Sequence, residues 1–152
     1  MPIKSFRGSI ADGGIDTIPL RTNNGSTGYK IVKFQIMPAQ SSNNFESTVK
    51  IYTVEQTLVD SIVDFSDNTL LAAAFTGLIS GGYAGSQTII NDNMYFNQDI
   101  YITAQDLSAS QNTNYYIELE QIKLALDENT VATLKDIRNI TQPAVEWANN
   151  II

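Results

Sequence analysis

The sequence predicts an all-β fold, an antiparallel β-sandwich of the jelly-roll kind with about seven or eight strands and a short C-terminal helix. Three observations support this prediction. Ile, Val, Tyr, Phe and Thr recur with period two as far as about residue 126. Clusters of Gly, Asn, Asp and Ser interrupt that pattern every ~8 to 12 residues. No repeat of ~20 to 50 residues is present, which argues against a solenoid or a propeller.

The 152 residues suit a single domain. Residues 1–126 are predicted to form the sandwich, and residues 127–152 a C-terminal helical segment of the same domain. Asp127 or Asn129 can cap that helix, and Pro143 should end or kink it. One side of the helix is apolar and carries Val131, Leu134, Ile137 and Ile140.

In the first half of the chain, alternation predicts strands over residues 3–10, 15–20, 29–37 and 45–54. The turn Asp12-Gly13-Gly14 separates the first two strands. In the third strand Val32, Phe34 and Ile36 are expected on one face. The fourth strand alternates most cleanly, which predicts one buried face and one exposed face.

In the second half, residues 58–65 favour a strand or an extended loop, although a helical turn also fits. Residues 70–78 are apolar without clear alternation, as in a strand that is buried on both faces. A Gly-rich loop is expected over residues 79–86. Strands are then predicted over residues 88–90, 100–105 and 115–126, the last with Tyr115, Ile117 and Leu119 on one face and Glu118 and Glu120 on the other.

The composition argues against an enzyme, because the chain has no Cys and no His. A thiol nucleophile, a thiolate metal site and the usual general base are therefore missing. Paired carboxylates could still act on a glycosidic bond, but Glu118 and Glu120 share one strand face rather than facing each other across a substrate. No catalytic residue and no cofactor is predicted.

The segment Asn91–Asp99 offers Asn and Asp oxygens that could bind calcium, but it lacks the spacing of an EF-hand loop. Turn hydrogen bonds from these side chains to their own backbone are the favoured interpretation. The sequence therefore predicts no metal site, with calcium at Asn91–Asp99 as the alternative.

Charge is distributed unevenly along this chain of net charge -7. Residues 1–50 carry six basic and three acidic side chains, and no Lys or Arg lies between Lys50 and Lys123. The favoured interpretation of this imbalance is a surface that keeps the protein in solution. The alternative is that the basic N-terminal third contacts an acidic neighbour, such as the acidic part of another copy of the chain. The acidic total predicts no nucleic-acid partner. No apolar run has the length of a membrane span or a signal peptide, which predicts no membrane partner and a soluble protein that is made in the cytoplasm and not secreted.

The last residues are apolar, and exposing them to water costs ~25 cal/mol per Å². Their cover is expected to be either the chain's own sandwich or another subunit. Together with the basic N-terminus, this gives the predicted residues for contact with other copies or with a larger assembly: Lys4, Phe6, Arg7, Ile140, Trp147, Ile151 and Ile152.

Three blocks of sequence carry a resemblance to a known class: Phe65-Ser66-Asp67 before an apolar strand and a Gly-rich loop, then residues 96–103 and 114–120. They resemble small virion structural proteins of tailed bacteriophages, of the capsid decoration or cement type. The resemblance covers residues 58–123. It implies a non-enzymatic protein of the virion that binds the assembled major capsid protein, often as a homotrimer, and reinforces the contacts between capsomers.

The alternative is a carbohydrate- or receptor-binding β-sandwich module of a phage tail or fibre. It would use Tyr83, Tyr95 and Phe96 as stacking surfaces for a ligand. The favoured interpretation of these aromatic residues is nevertheless that they are anchors that tuck into the end of the sandwich.

Overall fold

Eight antiparallel strands form two sheets in the computed structural model, which describes residues 2–21, 26–42, 44–79, 83–91 and 94–123. The strands are β1 (Ile3–Ile10), β2 (Ile15–Ile18), β3 (Thr27–Pro38), β4 (Phe45–Tyr52), β5 (Leu70–Ile79), β6 (Tyr83–Ile90), β7 (Ile100–Asp106) and β8 (Thr113–Lys123). One sheet has the order β1-β8-β3, and the other has the order β2-β7-β4-β5-β6.

The strand pairs nest as in a long hairpin that has been rolled up, as expected of a jelly roll. β1 pairs with β8, β2 with β7, and β4 with β5, while β6 pairs with β5 instead of β3. The predicted all-β sandwich is therefore confirmed. The predicted helical segment, residues 127–152, lies outside the described residues.

The core lies between the inner faces of the two sheets. β8 supplies Tyr115, Ile117 and Leu119, which confirms the predicted alternation of that strand. The hydroxyl of Tyr115 donates a hydrogen bond to the carboxylate of Asp16 in the facing sheet. Burial and then this hydrogen bond raise the pKa of Tyr115 above its usual range. The phenol therefore stays neutral and ties the two sheets together.

A β-bulge in β3 corrects the predicted alternation of that strand. The register with β8 shifts between Ile31 and Lys33, so the extra residue Val32 turns outward and is exposed. Ile31 and Phe34 are consequently both buried, although they are three positions apart. The prediction that Val32 shares a face with Phe34 is wrong.

The alternation in β4 predicted one buried face and one exposed face. This prediction is wrong, because β4 is buried on both faces. It ends at Tyr52 and lies in the middle of its sheet, between β5 and β7. The connection between β4 and β5 covers its second face, where Lys50 lies. Residues 58–65 in that connection adopt an extended loop, one of the two conformations favoured from the sequence.

The Gly-rich loop expected over residues 79–86 is largely a β-hairpin. β5 reaches Ile79, and β6 already begins at Tyr83. Gly77 pairs with Gly85 in this hairpin. Glycine weakens a strand without preventing its backbone hydrogen bonds, so small residues did not imply a loop here.

The close approach of β1 to the ring of Tyr115 gives a first prediction. A Cβ at Gly8 would lie 2.8 Å from Cε2 of Tyr115, whose ring is held by its bond to Asp16. We expect Gly8→Ala to lower the free energy of unfolding by about 1–3 kcal/mol, as overpacked cores do. Urea unfolding measures this loss. Ser9→Ala, at the exposed next residue, should change stability little, and equal losses in both variants would contradict the close contact.

Candidate functional site

Lys50 holds the connection between β4 and β5 against the sheet. Its side chain is only 4% exposed. Its Nζ donates to Oδ1 of Asp60 at 2.8 Å and to the carbonyl oxygen of Ile62 at 2.6 Å. It also lies 5.6 Å from the ring centroid of Tyr52. A buried ammonium group needs such partners, so these bonds fix the connection firmly in place.

Three aspartates stabilise the turns of this connection. Each accepts a hydrogen bond from the backbone N–H two residues later, the geometry of an Asx turn: Asp60 from Ile62, Asp64 from Ser66, and Asp67 from Thr69. The ends are joined by a hydrogen bond of 2.9 Å from the N–H of Thr53 to the carbonyl oxygen of Thr69. Residues 53–69 therefore form an ordered loop.

The ordered loop keeps its carboxylates charged. The hydrogen bond from Lys50 lowers the pKa of Asp60, although burial opposes the effect. The hydroxyl and the N–H of Ser66 lower the pKa of Asp64. Both side chains are consequently ionised at neutral pH.

The loop presents four apolar side chains to solvent, and we call them the apolar ridge: Leu58, Ile62, Val63 and Phe65. Leu58 is 72% exposed, Ile62 70% and Phe65 68%. An exposed apolar cluster among acidic residues marks a surface that another molecule can cover. Sequence reasoning missed the ridge. The signal was present, because aspartates at Asx-turn spacing indicate a loop whose apolar residues need not be buried.

A groove of about 560 Å³ lies on the other sheet. It opens on the outer face of the three-stranded sheet, where Arg7, Gln35 and Tyr116 are neighbours across β1, β3 and β8. Met37 also lines the groove and is 65% exposed. Among the described residues that line it, Arg7 alone carries a charge.

The surroundings of the groove are fixed by contacts of Tyr116. Its hydroxyl donates to Oε2 of Glu118 at 2.7 Å, and Nζ of Lys33 lies 6.0 Å from its ring centroid. The hydrogen bond to Glu118 raises the pKa of Tyr116. Glu118 and Glu120 share the outer face of β8, as the alternation predicted.

The predicted contact residues at the N-terminus divide between two surfaces. Lys4 and Phe6 line a cleft of about 490 Å³ together with Arg21, and Nζ of Lys4 lies 5.8 Å from the ring centroid of Tyr29. Arg7 faces the groove instead. The other predicted contact residues lie outside the described part of the chain: Ile140, Trp147, Ile151 and Ile152.

The aromatic residues predicted as stacking surfaces are not brought together. Phe96 is 2% exposed, its ring centroid lies 6.3 Å from that of Tyr29, and the two residues exchange backbone hydrogen bonds. Phe96 is thus an anchor in the core and offers no ring face to a ligand. Tyr95 is partly exposed, and the side chain of Tyr83 lies outside the described residues.

One candidate calcium ligand in Asn91–Asp99, the carboxylate of Asp99, is bonded to the protein backbone instead. Oδ1 of Asp99 accepts hydrogen bonds from the N–H groups of Leu20 and Arg21, each at 3.0 Å, and so fastens the chain after β2. Residues 92 and 93 lie outside the described part. Within the described residues, no three or more His, Cys, Asp or Glu side chains converge.

No model of a known protein family matches the sequence, and no curated protein matches it. Within the described ranges, no helix is long and apolar enough to cross a membrane. A functional assignment must therefore start from the apolar ridge, the groove and the cleft.

Proposed function

We propose that this chain is a non-enzymatic structural protein of a virion, a capsid decoration or cement protein that binds the assembled capsid and reinforces the contacts between capsomers. The observation that carries the proposal is the apolar ridge, which is exposed and yet rigidly held. Such a surface suits docking and not chemistry.

The rigidity of the ridge supports a binding role in energetic terms. Association costs free energy whenever a loop must be ordered, at about 0.5–1.5 kcal/mol for each immobilised flexible side chain. The bonds of Lys50 and the three Asx turns have already ordered residues 53–69 in the isolated chain. Covering the ridge with a partner therefore stabilises the complex without the cost of ordering this loop.

The cleft beside β1 supplies a second docking surface. Lys4 and Arg21 line it and give it positive charge. Basic side chains around a partly apolar opening favour an acidic partner surface and speed the encounter with it. We assign this cleft to the capsid, in line with the expected role of the basic N-terminal third.

The alternative, a carbohydrate- or receptor-binding module of a tail or fibre, loses one of its three stacking residues because Phe96 is in the core. It is retained as an outcome of the test and not as a second proposal.

The test is cosedimentation with capsids assembled from the major capsid protein of the virus that encodes this chain. The protein should pellet with capsids at a constant saturating ratio and remain in the supernatant without them. Lys4→Glu should weaken this binding about tenfold, because it reverses a charge in the cleft. Lys123→Glu is the matched control, since Lys123 is exposed at the end of β8 and does not line the cleft.

Two results would count against the proposal. Folded wild-type protein that stays in the supernatant with intact capsids would overturn it. Binding to a glycan array that is lost in Tyr95→Ala, without any binding to capsids, would favour the tail or fibre module instead.

A further inference from the structure

The apolar ridge and the groove lie on opposite sides of the sandwich. The ridge belongs to the loop over the outer face of the five-stranded sheet, and the groove opens on the outer face of the three-stranded sheet. No described residue covers either surface. Because the two sheets separate them, one chain cannot bring its own ridge into its own groove.

The charges of the two surfaces are complementary. Residues 53–69 include four acidic side chains and no basic one: Glu55, Asp60, Asp64 and Asp67. The charge of the adjacent Lys50 is matched by Asp60. In the groove the charged lining residue is Arg7, with Lys33 beside it over the ring of Tyr116. The carboxylate of Glu118, which accepts the hydrogen bond of Tyr116, offsets one of these two positive charges, so the three residues together remain positive. The negative charge around the ridge and the positive charge in the groove favour contact between these two surfaces. Contact between two ridges would instead bring acidic side chains together, and they would repel each other.

The apolar parts of the two surfaces also match. Phe65 projects from the ridge, and an exposed aromatic side chain on a rigid loop is the usual form of an interface anchor. The groove provides the side chain of Met37, which adapts to an aromatic ring, and the ring of Tyr116.

We propose that the apolar ridge of one copy docks in the groove of a second copy of this chain. The contact is heterologous, because each copy contributes a different surface to each interface. Such contacts join copies head to tail, and they build a closed ring or a longer array. This interface assigns the ridge to a second copy and leaves the cleft beside β1 for the capsid, and it can form without a capsid.

Introduced cysteines test the contact cleanly, because the chain has none of its own. Ser66→Cys protein is mixed with Gln35→Cys protein and treated with a short bis-maleimide cross-linker, because Ser66 is exposed beside Phe65 and Gln35 is exposed in the groove. We expect covalent dimers in the mixture well above the yield from either protein alone. Leu107→Cys replaces Ser66→Cys in the control mixture, since Leu107 is 61% exposed and lies outside the ridge.

Sedimentation velocity provides a second measurement without cross-linking. Phe65→Ser and Arg7→Glu should each weaken self-association at least tenfold, and Leu107→Ser should not. Raising the salt concentration should also weaken it, because part of the attraction is between exposed charges. A wild-type chain that stays monomeric at high concentration would overturn the proposal, as would cross-linked dimers that form equally well from Ser66→Cys protein alone.

Capsid cosedimentation separates this proposal from the decoration function. Ridge-to-groove cross-links without capsid binding would leave the interface intact and overturn the function. Loss of capsid binding in Phe65→Ser, with a monomeric wild type and no cross-link, would show that the ridge meets the capsid, and would overturn the contact between copies.

Discussion

Asp60→Ala is expected to lower the free energy of unfolding by about 3 kcal/mol, because it removes the anionic partner of the buried Lys50. Breaking a buried ion pair from one side costs about 3–5 kcal/mol, since an unpaired charge is left out of water. The lower end applies because Asp60 itself is 39% exposed and Lys50 keeps the carbonyl oxygen of Ile62. Urea unfolding measures the loss, and faster proteolysis within residues 53–69 should accompany it.

A double variant distinguishes the unpaired charge from a general loss of contacts. Lys50→Met with Asp60→Ala leaves no charge behind, so it should recover much of the stability lost in Asp60→Ala. Glu55→Ala, in the same loop but exposed, should change stability by less than about 0.5 kcal/mol. A double variant that is less stable than Asp60→Ala would contradict this account of Lys50.

Asp106→Asn is expected to cost about 2 kcal/mol at pH 7. Asp106 is buried at the end of β7 and accepts hydrogen bonds from the backbone N–H groups of Glu46, Ser108 and Gln111, among others. Burial opposes its charge, but these hydrogen bonds together hold its pKa below the ordinary value of 3.8. Hydrogen bonds to a charged group contribute about 1.5–3 kcal/mol, and an amide has only one oxygen to accept them.

The same variant predicts a dependence on pH. A carboxyl group whose pKa is lowered by folding stabilises the protein above its unfolded pKa, and this contribution is lost as pH falls through the folded pKa. The difference between wild type and Asp106→Asn should therefore narrow below about pH 3.8. Chemical unfolding from pH 7 to pH 2 measures the difference. A gap that stays constant across that range would show that the charge of Asp106 does not stabilise the fold.

The sequence predicts those strands whose residues alternate and pair simply, as β8 shows. It fails where pairing in three dimensions overrides the local pattern. Val32 looks like a residue of the inner face, and only the bulge against β8 turns it outward. Lys50 looks like a residue of an exposed face, because its partner Asp60 lies in a loop. The path of that loop cannot be inferred from the hydrophobic periodicity of the sequence.

The candidate site was harder to predict for a related reason. Leu58 and Phe65 have the composition of a core segment, and it is their exposure that makes them a candidate docking surface. The exposure of Leu58 and Phe65 depends on the turns at Asp60 and Asp64 and on the hydrogen bond from Lys50 to Ile62. These contacts involve residues that lie apart in the sequence, so no local pattern indicates their combined effect. Phe96 lies in the core, in agreement with the anchor interpretation that the sequence favoured over a stacking surface.

The nested pairing of strands sets the order in which this chain can fold as it is synthesised. Ile3, almost the first residue, pairs with Glu120, so β1 has no partner until nearly the whole sandwich has left the ribosome. The hairpin of β5 and β6 pairs neighbours in sequence and can close early. Pairings between distant segments make folding slow, and translation at about 5–20 residues per second delays this one by several seconds or more. The three-stranded sheet, with its groove, is consequently completed last.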